Sequence, residues 1–213
     1  KRQNSSNKLL TTIAYQLDDV CYALEGSIFM AGANFQWLRD KMNFFEDVEE
    51  SEELAKKADP NANVFLIPAF VGLGAPHWDP DARGAIFGLT RDAGKEELSL
   101  ATHEAIAFQT KEIISSLEND GIKVDSVRID GGLTSNAFFN QILSNVIDRE
   151  VLCSKTVEST ALGAAFLAGI GSGEVSLQDI SKNWSPKSEY NPDSSYDLGR
   201  YDIWKEFLGR LIG

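Results

Sequence analysis

The sequence predicts an α/β fold, a mixed sheet flanked by helices, and two observations carry that prediction. The first is the stretch from Val127 to Asn136. Val127 and Ile129 alternate with polar neighbours, as in a short strand with one buried face, two glycines follow, and Ala137, Phe138, Ile142 and Leu143 then recur at helical spacing. The second is that runs rich in β-formers and runs of helical period follow one another along all 213 residues, with no repeat and no low-complexity segment.

The elements follow in order. Residues 1–8 are polar and end in Asn7-Lys8, like the tip of a hairpin. Residues 9–16 are β-rich, and 20–28 read as the partner strand across Asp18-Asp19. The chain thus opens inside a sheet, and a further strand is expected before Lys1. A helix is expected over 29–40, its apolar surface supplied by Met30, Phe35, Trp37 and Leu38. Gly32 costs about 1 kcal/mol against alanine inside a helix. It either begins the helix or admits a close neighbour, which could be the sheet or a ligand. Gln36 lies four residues on, so both can face one site. The acidic-then-basic run over 46–59 reads as the solvated face of a short helix.

Residues 64–71 read as a buried strand, with Pro68 marking an edge or bulge. The long turn over 72–80 has the glycines of a phosphate loop. Its two prolines, and the lack of a helix after it, favour a packing role. It is also an exposed loop that could touch a second subunit. Residues 85–89 form another short strand, and Gly94 opens a helix whose apolar face is Leu98, Thr102, Ile106, Ile113 and Leu117. His103 and Glu104 fall off that face. As helical neighbours they point apart, which disfavours a catalytic pair. Asp120-Gly121 ends the helix. Beyond the central turn come a helix to about Val146 and a strand over 150–154. Glu158-Ser159-Thr160 then caps a helix over 161–169, whose small residues would let it approach the sheet closely. Residues 171–200 are rich in Ser, Asp, Asn and Pro and read as loop, and 204–211 as an amphipathic helix.

Composition narrows the function. A net charge of −12 argues against nucleic acid, because no basic stripe is present to displace counterions. An anionic ligand would have to be held by backbone amides and helix ends. Cys21 and Cys153 have no metal-binding spacing and read as two buried free thiols of a reducing, cytoplasmic compartment. His77 and His103 have no cysteine or carboxylate cluster to complete a zinc set. No apolar run reaches membrane-spanning length, and no signal-peptide pattern is visible.

The central turn is the strongest candidate site. Open α/β sheets place ligands where a strand's C-terminal end meets the next helix. Glycines there let a ring or phosphate touch the backbone, and the helix start offers free N–H groups. Asn136 adds an amide able to donate and accept. Gly-Gly alone is also compatible with plain turn geometry. It is neither a P-loop, lacking Gly-Lys-Ser/Thr, nor a dinucleotide fingerprint, lacking the glycine spacing. Asp130 could be a metal ligand, but a strand-end or turn role fits better.

Several segments resemble, in order and spacing, the C-terminal half of the FGGY carbohydrate kinase family. They are Ala23-Leu24-Glu25-Gly26-Ser27, Phe29-Met30-Ala31-Gly32-Ala33, Gln36-Trp37-Leu38-Arg39-Asp40, the 72–80 turn, the 82–90 run and Thr160 to Gly169. The match weakens over 44–63 and after 171. The run Gly72-Leu73-Gly74-Ala75-Pro76-His77-Trp78-Asp79-Pro80 is closer to the members that phosphorylate glycerol than to those acting on xylulose or gluconate. The resemblance implies an actin-like ATPase (ribonuclease H-like) fold, with residues 1–213 as the C-terminal nucleotide-binding domain of two. It implies ATP with magnesium as cofactor, glycerol held by the N-terminal domain, and a homo-oligomeric intact enzyme. It places Gly132 and Asn136 on the adenosine and α-phosphate side, with Gly32 and Gln36 as further nucleotide contacts. No catalytic or metal-binding residue is expected within this chain, which alone should bind ATP weakly and catalyse nothing. Another sugar or polyol kinase of the family, a non-catalytic assembly domain and, least well, a dinucleotide-binding domain are the rival readings.

Overall fold

The computed structural model describes residues 2–213; Lys1 lies outside the described residues. The chain opens with an antiparallel hairpin, β1 (Leu10–Gln16) and β2 (Val20–Glu25), with Leu10 facing Glu25. β2 stops three residues early because the chain turns onto a helix at Gly26. A Cβ there would lie 2.9 Å from a methyl of Ile113. The segment before β1 is not a hairpin tip. The hydroxyls of Ser5 and Ser6, the Ser6 amide and the Asn7 side chain all donate to the Asp120 carboxylate, which clamps the segment to the far end of a helix. These donors hold the Asp120 carboxyl at about 2, below the usual range.

Helix α1 (Gly32–Asp40) begins three residues later than the periodicity suggests, at Gly32 itself. A Cβ on Gly32 would meet nothing within 4 Å, so the close-neighbour reading gives way to the helix-start reading. Helix α2 (Glu50–Ala55) lies within the charged run, and it is more than a solvated face. Ser51, Leu54 and Ala55 are buried, with Leu54 packed beside Leu38 and Phe45.

Strand β3 (Phe65–Ile67) is wholly buried and pairs antiparallel with β4 (Ala85–Phe87). It ends at Pro68, which has no N–H to continue a ladder. The 72–80 turn packs as expected, but it is not an exposed loop. Leu73 and Ala75 are buried, and a Cβ on Gly74 would lie 2.0 Å from the Ser27 carbonyl. The segment offered for a subunit contact is therefore largely spent on internal packing.

Helix α3 (Lys95–Asn119) departs most from its sequence pattern. Residues 101–109 are buried on every side, including His103 and Glu104, which the periodicity places off the apolar face. Alanines at 101, 105 and 107 make this feasible, since they let neighbours approach from all directions. Beyond Gly121, at φ +81, comes the central unit. Strand β5 (Ser126–Ile129) is followed by a 3-10 turn, Gly132–Ser135, and helix α4 (Ala137–Ile147). Strand β6 (Glu150–Cys153) then runs parallel to β5.

The stretch over 171–200 is not simply loop. Helix α5 (Ser159–Ser172) runs into it, followed by helix α6 (Leu177–Asn183) and strand β7 (Ser188–Tyr190), antiparallel to β6. Ser176 caps α6 by accepting the Asp179 N–H at 3.2 Å. Strands β5, β6 and β7 thus form a mixed sheet flanked by helices, beside two two-stranded sheets. Two expectations for α5 fail. No side chain among 158–160 caps it, and none of its residues is buried, so its glycines and alanines do not bring it onto the sheet. Of the cysteines, Cys153 is buried while Cys21 is only half-buried.

Helix α7 (Gly199–Ile212) closes the chain over the core. The Trp204 indole is fully buried and donates to the Leu66 carbonyl at 2.9 Å. Arg200 reaches Glu104 at 2.7 and 2.6 Å and also donates to the Ala62 carbonyl. Glu104 is only 3% exposed, so removing its partner strands a buried charge. Arg200→Ala is expected to cost about 3–5 kcal/mol, read by urea denaturation, whereas Arg210→Ala on the exposed side of the same helix should cost under about 1 kcal/mol.

Candidate functional site

The turn after β5 is built by two glycines with different duties. Gly131 sits at φ +90, ψ −176, a region open essentially to glycine alone. Gly132 has ordinary backbone angles, and a Cβ on it would meet nothing within 4 Å. The 3-10 turn is closed by the Thr134 hydroxyl, which donates to the Gly131 carbonyl at 2.7 Å, and by the Ser135 hydroxyl, which donates to the Gly132 carbonyl at 2.8 Å. Asn136 lies just outside α4 rather than in its first turn. Its backbone is extended, and its side-chain oxygen accepts the Phe139 N–H at 2.7 Å. It is the N-cap.

This turn forms one wall of a cleft of about 750 Å³, within the usual size range of small-molecule sites. The start of α1 and the segment at the start of α2 supply the rest of its lining. Gly32, Gln36, Gly132 and Asn136, which come from two stretches about a hundred residues apart, all line it. A smaller cavity of about 320 Å³ lies apart, between α5, α6 and the loop after β6, and contains none of the four.

The sequence read Asp130 as a strand-end or turn residue and Glu49 and Glu52 as part of a solvated face, and the fold brings all three to the rim. Glu49, Glu52 and Asp130 line the cleft, and among the described residues no lysine or arginine does so. The Lys56 ammonium stands 2.7 Å from the Glu52 carboxylate and so already pairs one rim acid, while Glu49 and Asp130 suit hydroxyl or amino donors. Among the described residues no three His, Cys, Asp or Glu side chains gather to hold a metal ion.

Behind the turn lies His103, which the sequence placed off the apolar face of α3 and disfavoured as half of a catalytic pair. It is fully buried, with ring centroids 4.6 Å from Phe35 and 5.5 Å from Phe138. Its Nδ1 is 2.8 Å from the Ser99 carbonyl, which can only accept, so Nδ1 carries the proton. Its Nε2 lies 3.3 Å from the Asn136 side-chain nitrogen. Only the all-round burial of α3 could have revealed it, and helical periodicity does not report that. Burial pushes the imidazole down to about 4.

Residues 1–172 match the model of the C-terminal domain of the FGGY family of carbohydrate kinases. The chain belongs to the FGGY family of carbohydrate kinases. This FGGY domain is 46% identical over 211 residues to a glycerol kinase of Alteromonas mediterranea, covering 97% of this chain and 43% of that protein. It superposes on the crystal structure of Plasmodium falciparum glycerol kinase with ADP at a TM-score of 0.84 and 35% identity, over 97% of this chain and 42% of that one. It also resembles a gluconate kinase from Lactobacillus acidophilus, at TM-score 0.85 and 25% identity, over 100% of this chain and 44% of that one. The chain thus spans less than half the length of the relatives it matches. The shared fold is the actin-like ATPase fold, an α/β domain with a mixed sheet. Among the described residues of the FGGY domain no helix is long and apolar enough to cross a membrane.

Two outcomes test this site. His103 takes up its proton at about 4 in the folded chain and near 6.5 when unfolded, so the unfolded chain binds more protons between those values. Stability present above pH 6.5 should fall as the pH drops towards 4, by roughly 3 kcal/mol. His103→Leu should flatten that slope in urea titrations at stepped pH. Separately, Gly131→Ala should cost about 1–3 kcal/mol from backbone strain, whereas Gly132→Ala should leave the melting temperature nearly unchanged.

Proposed function

We propose that this chain is the ATP-binding part of a kinase that transfers the γ-phosphate of ATP to glycerol, giving sn-glycerol 3-phosphate. The observation that carries the reading is the convergence of Gly32, Gln36, Gly132 and Asn136 on one cleft. The two glycines leave room for a flat base and sugar to lie against the backbone. The Asn136 amide and the Gln36 amide supply directional hydrogen bonds, and the N-terminal amides of α4 favour a phosphate oxygen. Glu49 and Asp130 suit ribose hydroxyls or an exocyclic amino group, and their charge turns the phosphates outward, away from this rim.

The name of a relative with 46% identity, glycerol kinase, supports glycerol as substrate over gluconate, whose kinase is 25% identical. The structure of the Plasmodium falciparum relative is described as holding ADP, which supports a nucleotide ligand here. In the reaction this chain binds and orients the nucleotide. Magnesium would arrive on the phosphates and neutralise developing charge. Glycerol and the base that takes its proton would be held by the N-terminal domain that the relatives carry. Alone, this chain would bind the nucleotide without turning it over. A cytoplasmic location suits the two free cysteines.

Calorimetric titration of magnesium ADP tests the reading. The wild-type chain should bind, and Gly132→Val, which fills the cleft without straining the fold, should weaken binding at least tenfold at an unchanged melting temperature. Equal affinities would overturn it. For the protein carrying both domains, turnover of glycerol should exceed turnover of xylulose or gluconate, and the reverse preference would refute the substrate assignment.

A further inference from the structure

Asn136 has a fixed orientation. Its amide oxygen is committed to the Phe139 N–H at 2.7 Å, so its NH2 group points the other way, with nitrogen 3.3 Å from His103 Nε2. The His103 ring is fixed in turn. Nδ1–H donates to the Ser99 carbonyl, which leaves Nε2 as a bare acceptor facing the amide. One hydrogen of the Asn136 NH2 is therefore directed back to His103, and the other is free at the cleft.

Packing alone does not explain a histidine here. Its surroundings are Phe35 of α1 and Phe138 and Phe139 of α4, with ring centroids 4.6, 5.5 and 6.4 Å away. An apolar side chain would fill such a pocket without the cost of burying an imidazole. What the imidazole adds is a single acceptor aimed at the side chain that lines the cleft.

We propose that His103 is a positioning residue for nucleotide binding: by accepting one Asn136 N–H it directs the other at an acceptor atom of a bound purine nucleotide. The proposal rests on the nucleotide reading of the cleft. His103 itself does not touch the ligand. It restricts the Asn136 amide to one rotamer and one face before the ligand arrives, so ordering costs less on binding. The oxygen of Asn136 cannot take over this task, because releasing it would uncap α4.

The test is magnesium ADP affinity in the protein carrying this chain, measured by calorimetry for the wild type, His103→Leu, His103→Gln, Asn136→Ala and the double variant His103→Leu/Asn136→Ala. His103→Leu should weaken ADP about tenfold while holding or raising the melting temperature at pH 7. His103→Gln, which restores an acceptor, should recover most of that loss. In the Asn136→Ala background, His103→Leu should have no further effect, because the group it orients is gone. Wild-type affinity in His103→Leu, no recovery by His103→Gln, or additive losses in the double variant would each overturn the proposal. Should His103→Leu not fold, His103→Met takes its place with the same outcomes. A wild type that binds no ADP would bring down the nucleotide reading and this proposal together. ADP binding indifferent to His103 would bring down this proposal alone.

Discussion

A helix without a solvent-facing side depends on the fold for partners to its polar groups, and α3 is such a helix through residues 101–109. Its hydroxyls turn back on their own backbone: Ser99 donates to the Lys95 carbonyl and Thr102 to the Leu98 carbonyl. Its longer polar side chains, His103, Glu104 and Gln109, are not satisfied by that alone, and the Gln109 side-chain nitrogen is buried without a hydrogen-bond partner among the described residues. Glu104 is met by Arg200 and by the Tyr196 hydroxyl, at 3.2 Å, which ties α7 and the segment before it onto the centre of the molecule. His103 is met by Ser99 and Asn136, which ties the glycine turn to the same helix. Neighbours in sequence point to opposite sides, so one buried turn of helix anchors both the closing helix and the wall of the cleft.

The same arrangement explains the charge of the cleft. The fold spends a cation, Arg200, on the buried carboxylate of Glu104, away from the cleft, and lines the cleft itself with Glu49, Glu52 and Asp130. A phosphate-bearing ligand must then depend on backbone amides and on the start of a helix, which offer partial charges without desolvating a lysine or arginine. On the proposed reading, such a site would hold the neutral and donor-bearing parts of a nucleotide more firmly than its phosphates. That is consistent with a domain that presents the phosphates to chemistry conducted elsewhere.

Legibility followed the range of the interactions. The strand, glycine turn and helix at 126–147 were readable because alternation, glycine and helical period are local signals. Gly32, Gln36, Gly132 and Asn136 were readable as candidates, and the fold brings them to one cleft. The errors came where tertiary context decides. The sidedness of α3 was misread because alanine is neutral to periodicity, while three alanines permit burial all round. β7 was missed because three residues, Ser188-Glu189-Tyr190, carry no pattern apart from their partner β6. The segment around residues 5–7 was misread because its organiser, Asp120, lies more than a hundred residues away. His103 was set aside for the same reason as α3: its importance lies in what stands opposite, not in its neighbours.

The glycines give the strongest physical argument that something from outside occupies the cleft. Gly131 is explained within the chain, by a backbone angle that other residues resist. Gly72 and Gly74 are likewise explained, by backbone atoms within 3 Å of where a Cβ would stand. Gly32 and Gly132 have neither reason: their angles are ordinary, and nothing lies within 4 Å. Gly163, Gly171 and Gly209 share that openness, but they sit along α5 and α7 and do not line this cleft. Glycine costs conformational entropy wherever alanine would serve, and Gly32 and Gly132 both line the same cleft. A residue kept small with no neighbour to demand it is accounted for when the neighbour is a ligand. The same void is bordered by Asn136, whose side-chain nitrogen lies 3.3 Å from Nε2 of the buried His103 ring.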